Sequence, residues 1–154
     1  QTYDICLAAV NSEGDALKYV INQTHDICLA AVMQNNKSFQ YVEDKTPDIC
    51  LLAVELNGFN IKYVIDQTHD LCLVAVKQHG LALRYVKEQT FDICSAAINS
   101  CDGAFLFVRE QDPMICYIAA MKNPSHIKDI KDPKVRKQVA QQLKYNTCKS
   151  AKID

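Results

Sequence analysis

Apolar residues recur along this chain in two alternating rhythms. In residues 1–12, Ile5, Cys6, Ala9 and Val10 fall on a single helical face. A shorter group follows, Ala16, Leu17, Tyr19 and Val20, whose spacing of about three fits a short helix of about two turns. The same two beats then return every 22 residues. QTYDICLAAV begins at 1, QTHDICLAAV at 23, KTPDICLLAV at 45, QTHDLCLVAV at 67, QTFDICSAAI at 89 and QDPMICYIAA at 111. Self-similarity at a fixed period is the mark of a repeat architecture.

Polar positions punctuate each unit. Thr2, Thr24, Thr46, Thr68 and Thr90 stand where a helix N-cap belongs. Asp4, Asp26, Asp48, Asp70 and Asp92 fall in the first turn, where the helix dipole favours a carboxylate. Pro47 and Pro113 occupy the first helical position, which tolerates proline. Gly14, Gly58 and Gly80, with Asn36 and Asp102 as their equivalents, predict a helix stop through a left-handed backbone. Each unit therefore reads as a small αα-hairpin. One hairpin buries too little surface to stand alone, and stacking neighbours supplies a continuous core. The expected fold is all-α: an α-solenoid of six stacked 22-residue αα-hairpin repeats over residues 1–132, with a C-terminal capping helix and basic tail over 133–154.

A leucine-rich repeat has a similar period. Its pattern requires apolar residues three, five and eight positions before the Asn/Cys position. Counting back from Cys28 gives His25, Gln23 and Val20, so two of the three fail, and ICLAAV lacks the alternation of a strand.

Small residues mark the seam between units. Ala9, Ala31, Ala53, Ala75, Ala97 and Ala119 hold one position without exception. Cys6, Cys28, Cys50, Cys72, Cys94 and Cys116 hold another, three residues earlier. A position filled only by a methyl implies close approach of a neighbouring helix. Enlarging Ala53 to Leu should overpack that seam at a cost of about 1–3 kcal/mol. Stacked helices lie roughly 8–10 Å apart, whereas a disulfide needs Cα atoms roughly 4.4–6.8 Å apart, so equivalent cysteines cannot pair. No Cys-x-x-Cys motif is present. The six cysteines read as small, buried, reduced hydrophobes, which implies an intracellular, reducing location. Cys101 and Cys148 lie outside that position and are the expected reactive thiols.

The ends differ from the middle. In the sixth repeat Met114 replaces the aspartate and Asn123-Pro124 replaces the glycine stop. Asp132-Pro133 then opens a stripe of Val135, Val139 and Leu143 whose other faces are basic and amide-rich, as a terminal cap should be. The N-terminal repeat shows no cap. Further repeats before it, or head-to-tail self-association through it, would cover its apolar face. The chain does not start with Met, which suggests a processed or trimmed piece.

Charge is divided in the same way. The overall net charge of −1 separates into −7 over residues 1–121 and +6 over residues 122–154. The basic residues Lys134, Arg136, Lys137 and Lys144 read first as a solvated face and second as contacts for an anionic partner. No apolar run approaches the roughly 18 residues of a membrane span, and no secretory leader is evident.

No catalytic constellation emerges. The chain contains neither H-E-x-x-H nor G-x-S-x-G nor a phosphate-cradling glycine loop. His25 and His69 share a unit position but are two repeats, about 20 Å, apart, too far to share one metal ion. No cofactor or metal is expected, and the chain reads as a non-enzyme. The variable positions are more informative. Unit position three, with Tyr3, His25, His69 and Phe91, forms a candidate binding ladder. Unit position eighteen adds Lys18, Lys62 and Arg84.

The recurring ICLAAV, the glycine that follows after three intervening residues, and the Leu17, Tyr19-Val20 segment leading into QT resemble the short repeats present in many copies in mimivirus-like giant DNA viruses. Related units occur in a family of unknown function in amoeba-associated and other bacteria. The resemblance covers about residues 1–121 and weakens beyond. It implies an α-helical repeat and a giant-virus origin, and carries no activity. The expected function is a repeat scaffold for protein–protein interaction or structural assembly. The alternative is a nucleic-acid-binding helical repeat that uses the basic C-terminal segment.

Overall fold

The computed structural model describes the backbone of residues 1–150 and the side chains of residues 1–146. Each 22-residue unit forms a ten-residue α-helix followed by a six-residue 3-10 helix. The α-helices are α1 (Tyr3–Ser12), α2 (His25–Gln34), α3 (Pro47–Leu56), α4 (His69–Gln78), α5 (Phe91–Ser100) and α6 (Pro113–Lys122). The 3-10 helices span Gly14–Tyr19, Asn36–Tyr41, Gly58–Tyr63, Gly80–Tyr85, Asp102–Phe107 and Pro124–Asp129. A seventh α-helix, α7 (Pro133–Ser150), packs on α6. No strand occurs among the described residues. The chain is an all-α repeat solenoid.

The second half of each unit is tighter than the hairpin reading anticipated. Its six residues form a 3-10 helix because the apolar positions must eclipse every third residue to reach the core. Leu17, Phe39, Ile61, Leu83 and Phe105, one in each of the first five units, are fully buried there, and Ile127 of the sixth is half-buried. The α-helices contribute Ile27, Ile49, Ile93 and Ile115 with the cysteines and alanines. Thr24, Thr68 and Thr90 accept the expected N-cap hydrogen bonds, from the Ile27, Leu71 and Ile93 amides. Thr2 and Thr46 accept none. Asp112 serves the sixth helix, accepting from the Met114 and Ile115 amides at 2.7 and 3.3 Å.

The helix stop differs from expectation. No positive φ occurs among the described residues, glycine included. Each of α1 to α6 ends instead on an extended residue. Glu13, at φ −140° and ψ 104°, returns its amide to the Ala9 carbonyl at 2.9 Å. Glu13, Asn35, Asn57, His79, Cys101 and Asn123 all make this turn. The glycines serve close approach. A Cβ on Gly58 would lie 2.3 Å from the Ala75 carbonyl oxygen of the next repeat. On Gly80 it would lie 2.4 Å from that of Ala97, and on Gly14 2.6 Å from that of Ala31. Glycine is needed there for space, and the alanine is the residue it meets.

The six repeat cysteines are buried and free. Five of the six repeat alanines are fully buried. Ala9 is exposed, contrary to its assignment to the core, because among the described residues nothing packs on the outer face of α1. Ile5 shows the same end effect: it is 65% exposed, whereas its equivalent Ile27 is 1% exposed.

Candidate functional site

The sequence-derived ladder lies along one edge. Tyr3, His25, His69 and Phe91 are the first residues of α1, α2, α4 and α5, and all four are exposed. The N-cap geometry holds each at the same place in its repeat, so they form a row. His25 is already engaged: its Nε2 lies 2.9 Å from the Asp48 carboxylate of the next repeat. A hydrogen bond from the Thr46 hydroxyl, backbone amides and His25 hold Asp48 below the usual carboxylate range. Lys18, Lys62 and Arg84 are exposed on the 3-10 helices and lie over neighbouring rings. Lys18 sits 4.8 Å from the Tyr19 centroid and Lys62 4.4 Å from that of Tyr63. Arg84 covers Tyr85 at 4.7 Å and Phe59 at 5.5 Å. These contacts account locally for the cations at position eighteen.

The structure also assigns a role to a residue that sequence reasoning passed over, the glutamine opening most units. Its carboxamide spans the chain where the 3-10 helix ends. Gln23 Nε2 donates to the Tyr41 carbonyl at 3.0 Å, while Oε1 accepts from the Glu43 amide at 3.0 Å. Gln67 does the same with Tyr85 and Lys87, at 3.1 and 2.9 Å. Gln89 does so with Phe107 and Arg109, at 3.1 and 3.0 Å. Gln1 joins Tyr19 to Ile21, and Gln111 joins Asp129 to Lys131. The signal was present in the recurrence of glutamine itself. A short carboxamide is one of the few side chains with both a donor and an acceptor at its tip.

The third unit alone begins with lysine. Beside Lys45, between α3 and α4, a cavity of about 600 Å³ opens. Its floor is apolar, with Leu51, Val64, Leu71 and Val74, and Glu43, Asp44, Asp66 and Asp70 also line it. The corresponding cavity between the first two repeats, beside Gln1, is about 220 Å³. The Cys50 thiol lines the larger cavity and donates to the Lys45 carbonyl at 3.4 Å. Burial, first of all, pushes its pKa up, as it does for Cys28, Cys72 and Cys94. Cys101 is only partly buried. Cys148 lies outside the described side chains.

On α7, Val139 is buried against the sixth repeat and Val135 and Leu143 are half-buried. The Asn146 amide reaches the Tyr117 hydroxyl at 2.6 Å. Lys134, Lys137 and Lys144 are exposed, whereas the Arg136 guanidinium donates to the Ile130 carbonyl. Among the described residues no three His, Cys, Asp or Glu side chains are grouped so as to hold a metal ion. No helix among them is long and apolar enough to cross a membrane.

Stacked hairpins, shared small seam residues and a variable exposed edge define a helical-repeat protein. Residues 46–91, which cover the third repeat from its second residue and the whole of the fourth, match a family model described as a domain of unknown function, DUF4116. No curated protein and no solved structure matches the chain.

Proposed function

We propose that this chain is a non-enzymatic repeat scaffold that mediates protein–protein interaction or structural assembly. The observation that carries the reading is the exposed ladder of Tyr3, His25, His69 and Phe91, held at one unit position by a stack whose core positions are nearly constant. A stack of this kind offers a long surface at fixed spacing with little rearrangement. The resemblance to giant-virus repeats supports a role in such a virus. The free, buried cysteines fit a reducing location, host cytoplasm or virion.

The exposed apolar end of the first repeat supports self-association as a second contact. α7 occupies the opposite end, so a head-to-tail joint would require α7 to give way. Pull-down from host extract tests the main reading. The wild-type chain should capture a defined protein, and the variant with Tyr3, His25, His69 and Phe91 changed to Ala should lose it. Equal capture by both would contradict the ladder.

The exposed lysines of α7 favour one alternative, a nucleic-acid binder. Phosphate contacts impose a steep salt dependence. RNA or DNA binding that persists near physiological salt and vanishes on removing residues 131–152 would favour it over the scaffold.

A further inference from the structure

Five repeats close their 3-10 helix with their own glutamine, and the third does not. The backbone pair that the carboxamide engages elsewhere is the carbonyl at unit position nineteen and the amide at position twenty-one. In the third repeat these are Tyr63 and Ile65. Among the described residues no side chain bonds to the Tyr63 carbonyl or the Ile65 amide. Lys45 points elsewhere: its ammonium donates to the Val42 carbonyl and lies 5.4 Å from the Phe39 ring centroid. Lysine has three donors and no acceptor, so it could not satisfy the Ile65 amide from any position. The cavity of about 600 Å³ adjoins this pair, with Lys45, Val64 and Ile65 in its wall.

The geometry points to a binding site for a primary carboxamide, presented as a glutamine side chain by a partner polypeptide. The inference rests on the scaffold reading for the source of that glutamine. The fit is documented inside the chain itself. At five equivalent places the same backbone pair holds a carboxamide with bonds of 2.8–3.3 Å. The guest would donate to the Tyr63 carbonyl and accept from the Ile65 amide. Its methylenes would lie over Val64 and Leu71, as an apolar floor with few polar fixing points favours. The carboxylates of Glu43, Asp44, Asp66 and Asp70 outnumber Lys45 in the wall, so basic residues flanking the glutamine suit the site. A glutamate guest lacks the donor and adds a charge of the wrong sign. A methionine guest fills similar space and makes neither bond.

The test uses the whole chain labelled with ¹⁵N and a Lys-Gln-Lys peptide blocked as acetyl and N-methylamide, so that its only primary carboxamide is the glutamine. The Ile65 amide resonance should shift and saturate. The Glu version of the peptide should bind about tenfold more weakly, the worth of one good hydrogen bond, and the Met version, which makes neither bond, more weakly still. Lys45→Gln, which installs the residue found in the other five repeats, should fold and should abolish the shift by filling the site from within. Absence of a saturable shift at Ile65, equal affinity for the Met peptide, or an undiminished shift in Lys45→Gln would overturn the proposal. The Ile65 resonance reports this site alone and the four-alanine pull-down reports the ladder alone, so either reading can fail without the other.

Discussion

The seam between repeats three and four and the seam between repeats two and three are built from the same template and packed differently. At the first, Gly58 has no side chain, so its 3-10 helix lies close against α4, where Ala75 and Gln78 meet it, and unit position sixteen of the fourth repeat is the buried Ala82. At the second, Asn36 takes the glycine's place and the 3-10 helix stands off from α3. The space is filled by Asn60, itself 4% exposed, whose amide donates to the Ala53 carbonyl at 2.8 Å and the Asn36 carbonyl at 3.2 Å. The seam between repeats five and six repeats the second solution. Asp102 replaces glycine, and the buried His126 lies against it, with Nε2 3.6 Å from its carboxylate and Nδ1 3.0 Å from Asp129. Ser38, Asn60 and His126, the buried polar residues among those described, all share unit position sixteen. Glycine at fourteen is followed in the next repeat by Ala or Ser at sixteen, and Asn or Asp by Asn or His. The stack therefore has two kinds of joint: at Gly14, Gly58 and Gly80 the 3-10 helix lies directly against the next α-helix, and at Asn36 and Asp102 a buried Asn60 or His126 side chain fills the space between them.

The sharpest way to break this comparison is to add a methyl group. Gly58→Ala drives Cβ into backbone and should cost about 3 kcal/mol in chemical denaturation. Gly103→Ala is the control. Its added Cβ would meet nothing closer than 3.7 Å, so stability should hold or rise by up to about 1 kcal/mol. Equal losses in the two variants would mean that the glycine seams are not close-packed.

At the polar seam, Asn60→Ala should cost about 1–3 kcal/mol, because it removes buried donors. Adding Asn36→Gly in the same chain converts the joint towards the glycine type. The double variant should recover part of the loss, and strict additivity of the two changes would count against complementary pairing.

Acid should separate the seams in a different way. Hydrogen bonds from the Asn123 side chain and the Gly103 amide, with the charge of the nearby His126 ring, hold Asp102 below its ordinary value of 3.8. A depressed folded-state pKa contributes stability above pH 3.8, and that contribution is lost as pH falls through the lower folded value. The difference in denaturation midpoint between wild type and Asp102→Asn should therefore be full at neutral pH and shrink in strong acid. A gap independent of pH would show that the carboxylate charge plays no part.

The smallest effect concerns the thiols that line both kinds of seam. Burial, reinforced by Asp112, pushes Cys116 from 9.0 to about 11. A raised folded-state pKa contributes stability below pH 9.0 that is lost as pH rises through about 11. The denaturation midpoint should fall over that window, and less steeply in Cys116→Ala. Alkylation of the native protein near neutral pH should label Cys101 ahead of Cys28, Cys50, Cys72, Cys94 and Cys116.

Much of this fold was legible because a repeated sequence states its rule six times. The period, the buried Cys and Ala positions and the helical first half followed from apolar spacing, since a residue that must fit a seam cannot vary. The glycine was misread because φ tolerance and lack of volume select the same residue. Only the distance to the Ala75 carbonyl separates those reasons. The glutamine went unread because its partners are backbone groups at positions nineteen and twenty-one, which leave no side-chain signature. The exposed ladder was legible as a row, whereas the cavity beside Lys45 was not, since the space between the side chains of two repeats leaves no mark on the spacing within either.

Two kinds of joint in one stack should show in native-state amide hydrogen exchange at unit position thirteen. Each of these amides bonds to the carbonyl of the seam alanine, at 2.9–3.0 Å. The Asn35, His79 and Cys101 amides, which face Gly14, Gly58 and Gly80, should exchange more slowly than those of Asn57 and Asn123, which face Asn36 and Asp102. Equal protection at all five, or faster exchange at the glycine seams, would contradict the account.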